Sequence, residues 1–166
     1  MSRMQPDMDD VNWRILGLLQ ENARISFSEI GRQVGLTSTA VAERVRRLED
    51  ARIVRSYRIA TGDEELGYPI NAFVTIAVHH GASGQLTRLC GELSEVIECH
   101  HVTGDDGYLV KVRATSVHHL EEVVERLRRV GEPTASIVLS TPIPHKPLAR
   151  PAAAAKAPTP LRVRSA

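Results

Sequence analysis

The sequence is poor in cysteine, in aromatic residues and in long apolar runs, and each shortage excludes a class of protein. Two cysteines in 166 residues exclude a disulfide framework and a thiolate metal site. Aromatic residues make up 4%, too few for the stacking platforms that bind single-stranded nucleic acid. No apolar run approaches the roughly 18 residues of a membrane span, and no secretory signal follows Met1, so we expect a cytoplasmic protein without a membrane partner.

Charge is almost balanced overall, but its distribution along the chain is uneven. The chain has 21 lysines and arginines against 20 aspartates and glutamates, a net charge of +1. Residues 1–60 are net basic, residues 61–141 are net acidic, and residues 142–166 contain basic residues and no acidic one. This segregation indicates segments with different partners.

Residues 1–60 carry three helical patterns followed by a strand pattern. Apolar residues recur at helical spacing, and the third helix is predicted from Ser38 to about Asp50. Gly35 is expected to end the second helix, because glycine adopts positive φ without strain. Residues 53–59 alternate in part between apolar and polar and predict a strand. The predicted N-caps of the three helices are Asp9, Ser26 or Ser28, and Thr37.

The second and third helices together predict a helix-turn-helix. Two helices that cross closely need a small residue at the crossing and a sharp turn four residues later. Gly31 and Gly35 satisfy these two needs. An ordinary helical hairpin is the alternative interpretation of the same residues.

The exposed face of the third helix is the predicted DNA-contacting surface, because the first turn of a recognition helix reaches base edges. Arg46 or Arg47 can pair with guanine or bind phosphate, and Arg44, at the edge of the buried face, is expected to bind phosphate. Glu43 can accept a hydrogen bond from a cytosine amino group or form an ion pair with Arg47. The predicted DNA contacts are Thr37, Ser38, Thr39, Glu43, Arg44, Arg46 and Arg47.

Residues 61–68 form a predicted polar linker, and residues 69–141 predict a second domain. Its patterns follow the order β-α-β-β-α-β, with the last strand over residues 134–141. This is the order of a ferredoxin-like fold, in which two helices cover one face of an antiparallel sheet. Because Phe73 and Ala77 make the other face apolar as well, we expect a second copy to cover it and the protein to be a homo-oligomer.

Residues 142–166 form a tail that is rich in proline and alanine. A segment of this composition buries too little apolar surface to offset the entropy of ordering it. We expect the tail to be disordered and solvated. The alternative is a basic arm that adds nonspecific attraction to DNA phosphates.

Short runs of residues along the chain match a known family. They include Met8-Asp9, Ala23-Arg24-Ile25-Ser26, Val34-Gly35-Leu36-Thr37, Leu66-Gly67-Tyr68 and Val102-Thr103-Gly104-Asp105. With these runs in this order, the chain from Met8 to about Pro142 resembles the leucine-responsive/asparagine-responsive (Lrp/AsnC) transcription regulators of bacteria and archaea.

The resemblance implies an α+β fold, with an N-terminal winged helix-turn-helix followed by a ferredoxin-like βαββαβ domain for effector binding and oligomerisation. It implies a sequence-specific regulator of transcription rather than an enzyme. Such a regulator binds double-stranded DNA as a homodimer, and its dimers can assemble to octamers. It also implies a small effector, commonly an amino acid, bound with the help of the loop between the second and third strands, with no cofactor and no metal. That loop is here Thr103, Gly104, Asp105, Asp106, Gly107 and Tyr108.

The chemistry of this loop fits an amino acid, although a simpler interpretation exists. Asp105 and Asp106 can accept hydrogen bonds from an ammonium group, and the backbone N–H groups of Gly104 and Gly107 can donate to a carboxylate. The alternative is that the two glycines only permit a tight hairpin. Gly107 also stands where many family members carry Asp, Ser or Cys, so the effector stays open.

Other functions remain alternatives at this point. Three histidine pairs suggest a metal or catalysis, but adjacent residues on a strand point to opposite faces and no zinc pattern is completed. We therefore predict surface or interface histidines. The alternative functions are an architectural protein that wraps DNA without an effector, and an enzyme similar to sirohaem decarboxylases, which share the two-domain architecture.

Overall fold

The computed structural model describes residues 8–104 and 107–151, which divide into two units. The first unit contains the described residues up to 59 together with those from 145 onward, and the second contains residues 60–144. No helix in the described ranges has the length and apolarity that a membrane crossing requires.

Three helices build the first unit, and their inward faces form its core. They are α1 (Asp10–Glu21), α2 (Phe27–Val34) and α3 (Ser38–Asp50). The predicted inward face of α3 is confirmed, because its three apolar residues at helical spacing are fully buried. The buried residues of this core are Ile15, Leu19, Ile30, Val41, Val45 and Leu48.

Each helix of the first unit begins at a side-chain cap. Asp9, Ser26 and Thr37 each accept a hydrogen bond from the backbone N–H three residues later, over 2.7, 3.1 and 3.2 Å. Gly35 follows α2 with a φ of 75°, in the left-handed region that glycine enters without strain. The predicted caps and the predicted end of α2 are confirmed.

The chain leaves α3 differently from the prediction. Ala51 keeps a right-handed backbone, and Arg52 takes the left-handed conformation with a φ of 59°. The N–H of Ile53 then bonds to the carbonyl of Leu48 at 2.9 Å, so it closes the helix end instead of joining a ladder. The predicted strand over residues 53–59 is wrong, since this unit has no strand among its described residues with which it could pair.

The second unit has the predicted β-α-β-β-α-β order. The elements are β1 (Ile70–Val78), α4 (Ser83–Glu92), β2 (Val96–His101), β3 (Gly107–Ala114), α5 (Val117–Arg128) and β4 (Gly131–Ile137). The sheet is antiparallel, with the strand order β2-β3-β1-β4, and α4 and α5 pack against one face. Buried aliphatic side chains of β1 and β3 meet those of the two helices in one continuous core.

The last strand begins and ends earlier than the predicted range of residues 134–141. At Gly131 a Cβ atom would lie 2.5 Å from the carbonyl oxygen of Ala77, so only glycine allows the strands to approach this closely. Pro133 lies inside β4, opposite Ile76. An edge strand tolerates a proline, because one side of it needs no ladder hydrogen bonds.

Candidate DNA-binding site and effector loop

Helices α2 and α3 are held together at Gly31. A Cβ atom on this residue would lie 2.4 Å from the carbonyl oxygen of Leu36, closer than any side-chain atom can approach. The N–H of Leu36 donates to the carbonyl of Gly31 over 2.9 Å and fixes the turn. The predicted need for a small residue is confirmed, and the turn places α3 rigidly on α2.

The first turn of α3 presents a polar surface. Thr37, Ser38 and Thr39 are all exposed. The Thr37 hydroxyl oxygen accepts the N–H of Ala40, so its own hydrogen remains available to an outside acceptor. Together with the free N–H groups of a helix N-terminus, these hydroxyls can donate to phosphates or to base edges.

The middle of α3 carries a cluster of ion pairs around Glu43. Its carboxylate accepts hydrogen bonds from Arg46 over 3.2 Å and from Arg47 over 3.0 Å, and Arg46 also contacts Asp50 at 3.1 Å. Hydrogen bonds from Arg46 and Arg47 hold the pKa of Glu43 below its ordinary value. The arginine side chains are nonetheless 63% and 65% exposed, so both remain accessible to DNA.

Arg44 faces away from that cluster and joins α3 to the start of α1. Its Nη1 donates to Asp9 Oδ2 over 2.7 Å and to Asn12 Oδ1 over 3.0 Å. The pKa of Asp9 is lowered, first by the backbone N–H of Asn12 and then by Arg44. In this structure Arg44 therefore fixes the packing of two helices, whereas the sequence predicted a phosphate contact.

The predicted effector loop is a tight hairpin between β2 and β3. The N–H of Val102 donates to the carbonyl of Gly107 over 2.8 Å. Gly104 and Gly107 have φ values of 114° and 70°, which only glycine adopts readily, so the hairpin itself requires both. Tyr108 stacks on His101 with ring centroids 4.6 Å apart. Thr103 and Gly104 precede the gap in the described residues, and Asp105 and Asp106 lie outside them.

In comparisons with known proteins, each half of the chain matches the model of a known domain family. Residues 8–49 match the AsnC-type helix-turn-helix domain, and residues 71–148 match the Lrp/AsnC ligand binding domain. The chain belongs to the Lrp/AsnC family. The order of the two domains is the order of the two folds in the structure, a helix-turn-helix followed by a domain with a four-stranded antiparallel sheet.

Individual members of the Lrp/AsnC family are similar over nearly their whole length. The HTH-type transcriptional regulator YezC of Bacillus subtilis is 36% identical, over 81% of this chain and 95% of its own. The leucine-responsive regulatory protein of Escherichia coli is 34% identical, over 80% of this chain and 85% of its own. A transcriptional regulator of Neisseria meningitidis, solved as a complex with L-Met, superposes with a TM-score of 0.80 at 26% identity, over 84% of this chain and 95% of that one.

Three histidines of this Lrp/AsnC protein lie beside carboxylates. His100 contacts Glu98 at 3.0 Å, and His119 contacts Glu95 at 3.1 Å. His118 lies 3.6 and 3.5 Å from two glutamates on the next turn of α5. No group of three or more metal-binding side chains comes together in residues 8–104 and 107–151.

Sequence reasoning missed two features of the DNA-binding unit. Asn12 is buried, with 6% of its surface exposed, and accepts from Arg44. Gln20 bonds to the backbone of Leu148 in the tail that was predicted to be solvated. Neither feature has a local signal, because the partners lie 32 and 128 residues apart in the sequence.

Proposed function

We propose that this Lrp/AsnC protein is a sequence-specific regulator of transcription in which α3 enters the major groove. The observation that carries the proposal is the exposed polar and basic face of α3, held by a turn that admits only glycine at position 31. In this geometry the hydroxyls of Thr37, Ser38 and Thr39 contact phosphates and base edges at the entry to the groove.

The arginines of α3 have two separate roles in this proposal. Arg46 and Arg47 contact DNA, because their guanidinium groups are exposed and can exchange Glu43 for phosphate or guanine. Once these arginines turn to DNA, Glu43 is released and can accept from a cytosine amino group. Arg44 acts mainly through Asp9 and Asn12, by fixing the angle at which α1 supports α3.

We also propose that the second unit binds a small effector, an amino acid, at the hairpin from Thr103 to Tyr108. Support comes from the match to the family's ligand binding domain and from the relative solved with L-Met. An ammonium group needs carboxylate acceptors such as Asp105 and Asp106, and a carboxylate needs donors such as the N–H groups of Gly104 and Gly107. A typical coupling between effector and DNA is about 1–3 kcal/mol.

The open face of the sheet supports a homodimer, with octamers as a further assembly. Phe73 on this face is 38% exposed and stands in register with Lys111, which pairs with Glu98 at 3.7 Å. A face with an apolar centre and charged neighbours suits contact with a second copy. In such a dimer the two recognition helices would enter successive major grooves about 34 Å apart, so the operator is expected to be nearly palindromic.

Fluorescence anisotropy tests the proposed function. The full chain is titrated against DNA from upstream of its own gene and against a shuffled duplex, at fixed salt, with and without pooled amino acids. We expect binding to the first duplex at least ~10³-fold tighter, with a shift when the pool is added. Equal binding to both duplexes would favour an architectural DNA-wrapping protein without an effector. No binding to either duplex would favour the alternative of an enzyme similar to sirohaem decarboxylases.

A further inference from the structure

Both cysteines of the chain lie in the second unit, on two elements that pack against each other. Cys90 belongs to the last turn of α4, and Cys99 belongs to β2. In the turn between these elements the N–H of Val96 donates to the carbonyl of Leu93 over 3.1 Å. This short turn folds β2 back along α4, and the two elements are in contact. The two thiols therefore belong to one junction of a helix and a strand.

The side chain of Cys99 lies on the face of the sheet that the helices cover. Cys99 stands opposite Val110 in the ladder, and Val110 is fully buried. Residues directly opposite each other on antiparallel strands share a face. Glu98, the preceding residue, lies on the open face, where it pairs with Lys111. The face proposed for contact with a second copy is therefore not the face that carries Cys99.

The two thiols are neighbours, but only that of Cys99 is exposed. Cys90 is 7% exposed and packs in the core of the second unit, whereas Cys99 lies on an edge strand and reaches solvent. Burial first, and then the charge and the hydrogen bond of the neighbouring Cys99 thiol, raise the pKa of Cys90 to about 12. Cys90 is therefore protonated at neutral pH and shielded from reagents in solution, so Cys99 is the thiol that such reagents meet first.

We propose that Cys90 and Cys99 form a reversible disulfide when a peroxide oxidises the protein, so that α4 becomes covalently tied to β2. The inference does not rest on the binding of DNA or of an effector. A single reversible pair is not a disulfide framework, and pairs of this kind act as redox sensors in reducing compartments. Because β2 ends at His101, shortly before Thr103, the bond restrains the strand at the base of the proposed effector hairpin.

The reaction balances in two steps with hydrogen peroxide as the oxidant. First, the Cys99 thiolate attacks one peroxide oxygen: an S–O bond forms, the O–O bond breaks, and the departing hydroxide takes up the thiol proton as water. Second, the sulfur of Cys90 attacks the sulfur of this sulfenic acid: the S–S bond forms, the S–O bond breaks, and the hydroxide leaves with the proton of Cys90 as a second water. The two thiols lose two electrons, and these reduce the peroxide.

Free-thiol counting and intact mass test the inference on the reduced full chain after treatment with hydrogen peroxide. We expect the wild type to lose both thiols, with a mass lower by two hydrogens and no bond between chains. Dithiothreitol should restore both thiols. Loss of fewer than two thiols, a mass raised by added oxygen alone, or a disulfide between two chains would refute the inference.

Two variants separate the roles of the thiols. Cys90→Ala should stop at the sulfenic acid of Cys99, which dimedone traps, whereas the wild type should give little adduct. Cys99→Ala alters an exposed position, so the fold is retained, and Cys90 should keep its thiol in the same peroxide. Oxidation of Cys90 as fast in Cys99→Ala as in the wild type would overturn the inference, because Cys90 would then react without its neighbour.

Urea unfolding followed by circular dichroism gives a second readout that does not count thiols. The bond closes a loop of about ten residues, so oxidation should raise the urea midpoint of the wild type. The same treatment should leave the midpoint of Cys99→Ala unchanged. An unchanged or lower midpoint in the oxidised wild type would show that the native fold does not place the two sulfurs for bonding, and it would overturn the inference.

Discussion

The glycine at the crossing of α2 and α3 gives the sharpest test of the helix-turn-helix geometry. In Gly31→Ala the new Cβ would stand 2.4 Å from the carbonyl oxygen of Leu36, about 1 Å inside an ordinary contact. Because that atom is backbone, the turn itself has to move. Overpacking of this kind costs about 1–3 kcal/mol, and the Leu36 to Gly31 hydrogen bond adds about 1 kcal/mol when it is lost.

Helix propensity acts in the opposite direction and is smaller. Alanine gains about 1 kcal/mol over glycine inside a helix, so we expect Gly31→Ala to lose about 1–3 kcal/mol of unfolding free energy. Gly17→Ala is the matched control, because a Cβ there meets no atom within 4 Å. This control should gain up to about 1 kcal/mol.

The assay is urea unfolding followed by the fluorescence of Trp13, the single tryptophan of the chain, which lies in α1. Opposite signs for the two variants would support the close crossing. Equal gains in Gly31→Ala and Gly17→Ala would refute the close crossing of α2 and α3, because they would show that the crossing has room for a methyl group.

Three further predictions concern single side chains. If Arg47 pairs with guanine, Arg47→Ala should weaken binding to the operator by about 1–3 kcal/mol; if Arg47 binds phosphate, Arg47→Ala should weaken binding to all DNA sequences alike. Fluorescence anisotropy distinguishes these two outcomes, with Arg88→Ala on α4 as the charge-matched control. Arg52→Gly should raise the free energy of unfolding in urea by about 0.5–1 kcal/mol, because it relieves a φ of 59°; a lower free energy of unfolding would contradict this. Asp9→Asn keeps the N-cap of α1 but loses the ion pair with Arg44. The side chains of Asp9 and Arg44 are each about a third exposed, so the wild type should be more stable than this variant by about 0.5–1 kcal/mol. Since the pKa of Asp9 lies below its ordinary value of 3.8, this advantage should be complete above about pH 5 and vanish as pH falls through the folded pKa; an advantage that persists in acid would exclude the ion pair.

Features that depend on neighbouring residues could be predicted from the sequence. The caps at Asp9 and Thr37 need only a side chain and an N–H three residues later, and the buried face of α3 follows from a period of 3.6 residues. The βαββαβ order follows in the same way, because segments whose apolar residues recur with the period of a strand alternate with segments whose apolar residues recur with the period of a helix.

Features that depend on distant partners could not be predicted. An alternating pattern over residues 53–59 suits a strand, but a strand also needs a neighbour, which the first unit lacks among its described residues. Arg44 lies at the edge of an apolar stripe, and nothing in that stripe shows that Asp9 and Asn12 come to meet it. The early start of β4 likewise depends on the close approach of Gly131 to β1.

In the proposed function, α3 supplies the sequence specificity. Its most direct test is the ratio of affinities for upstream DNA and shuffled DNA, measured for the wild type and for the variant with both Arg46→Ala and Arg47→Ala. We expect a ratio of at least ~10³ in the wild type that falls toward 1 in the variant, while the oligomeric state is unchanged. A ratio that survives both substitutions would show that a surface other than α3 reads the DNA sequence.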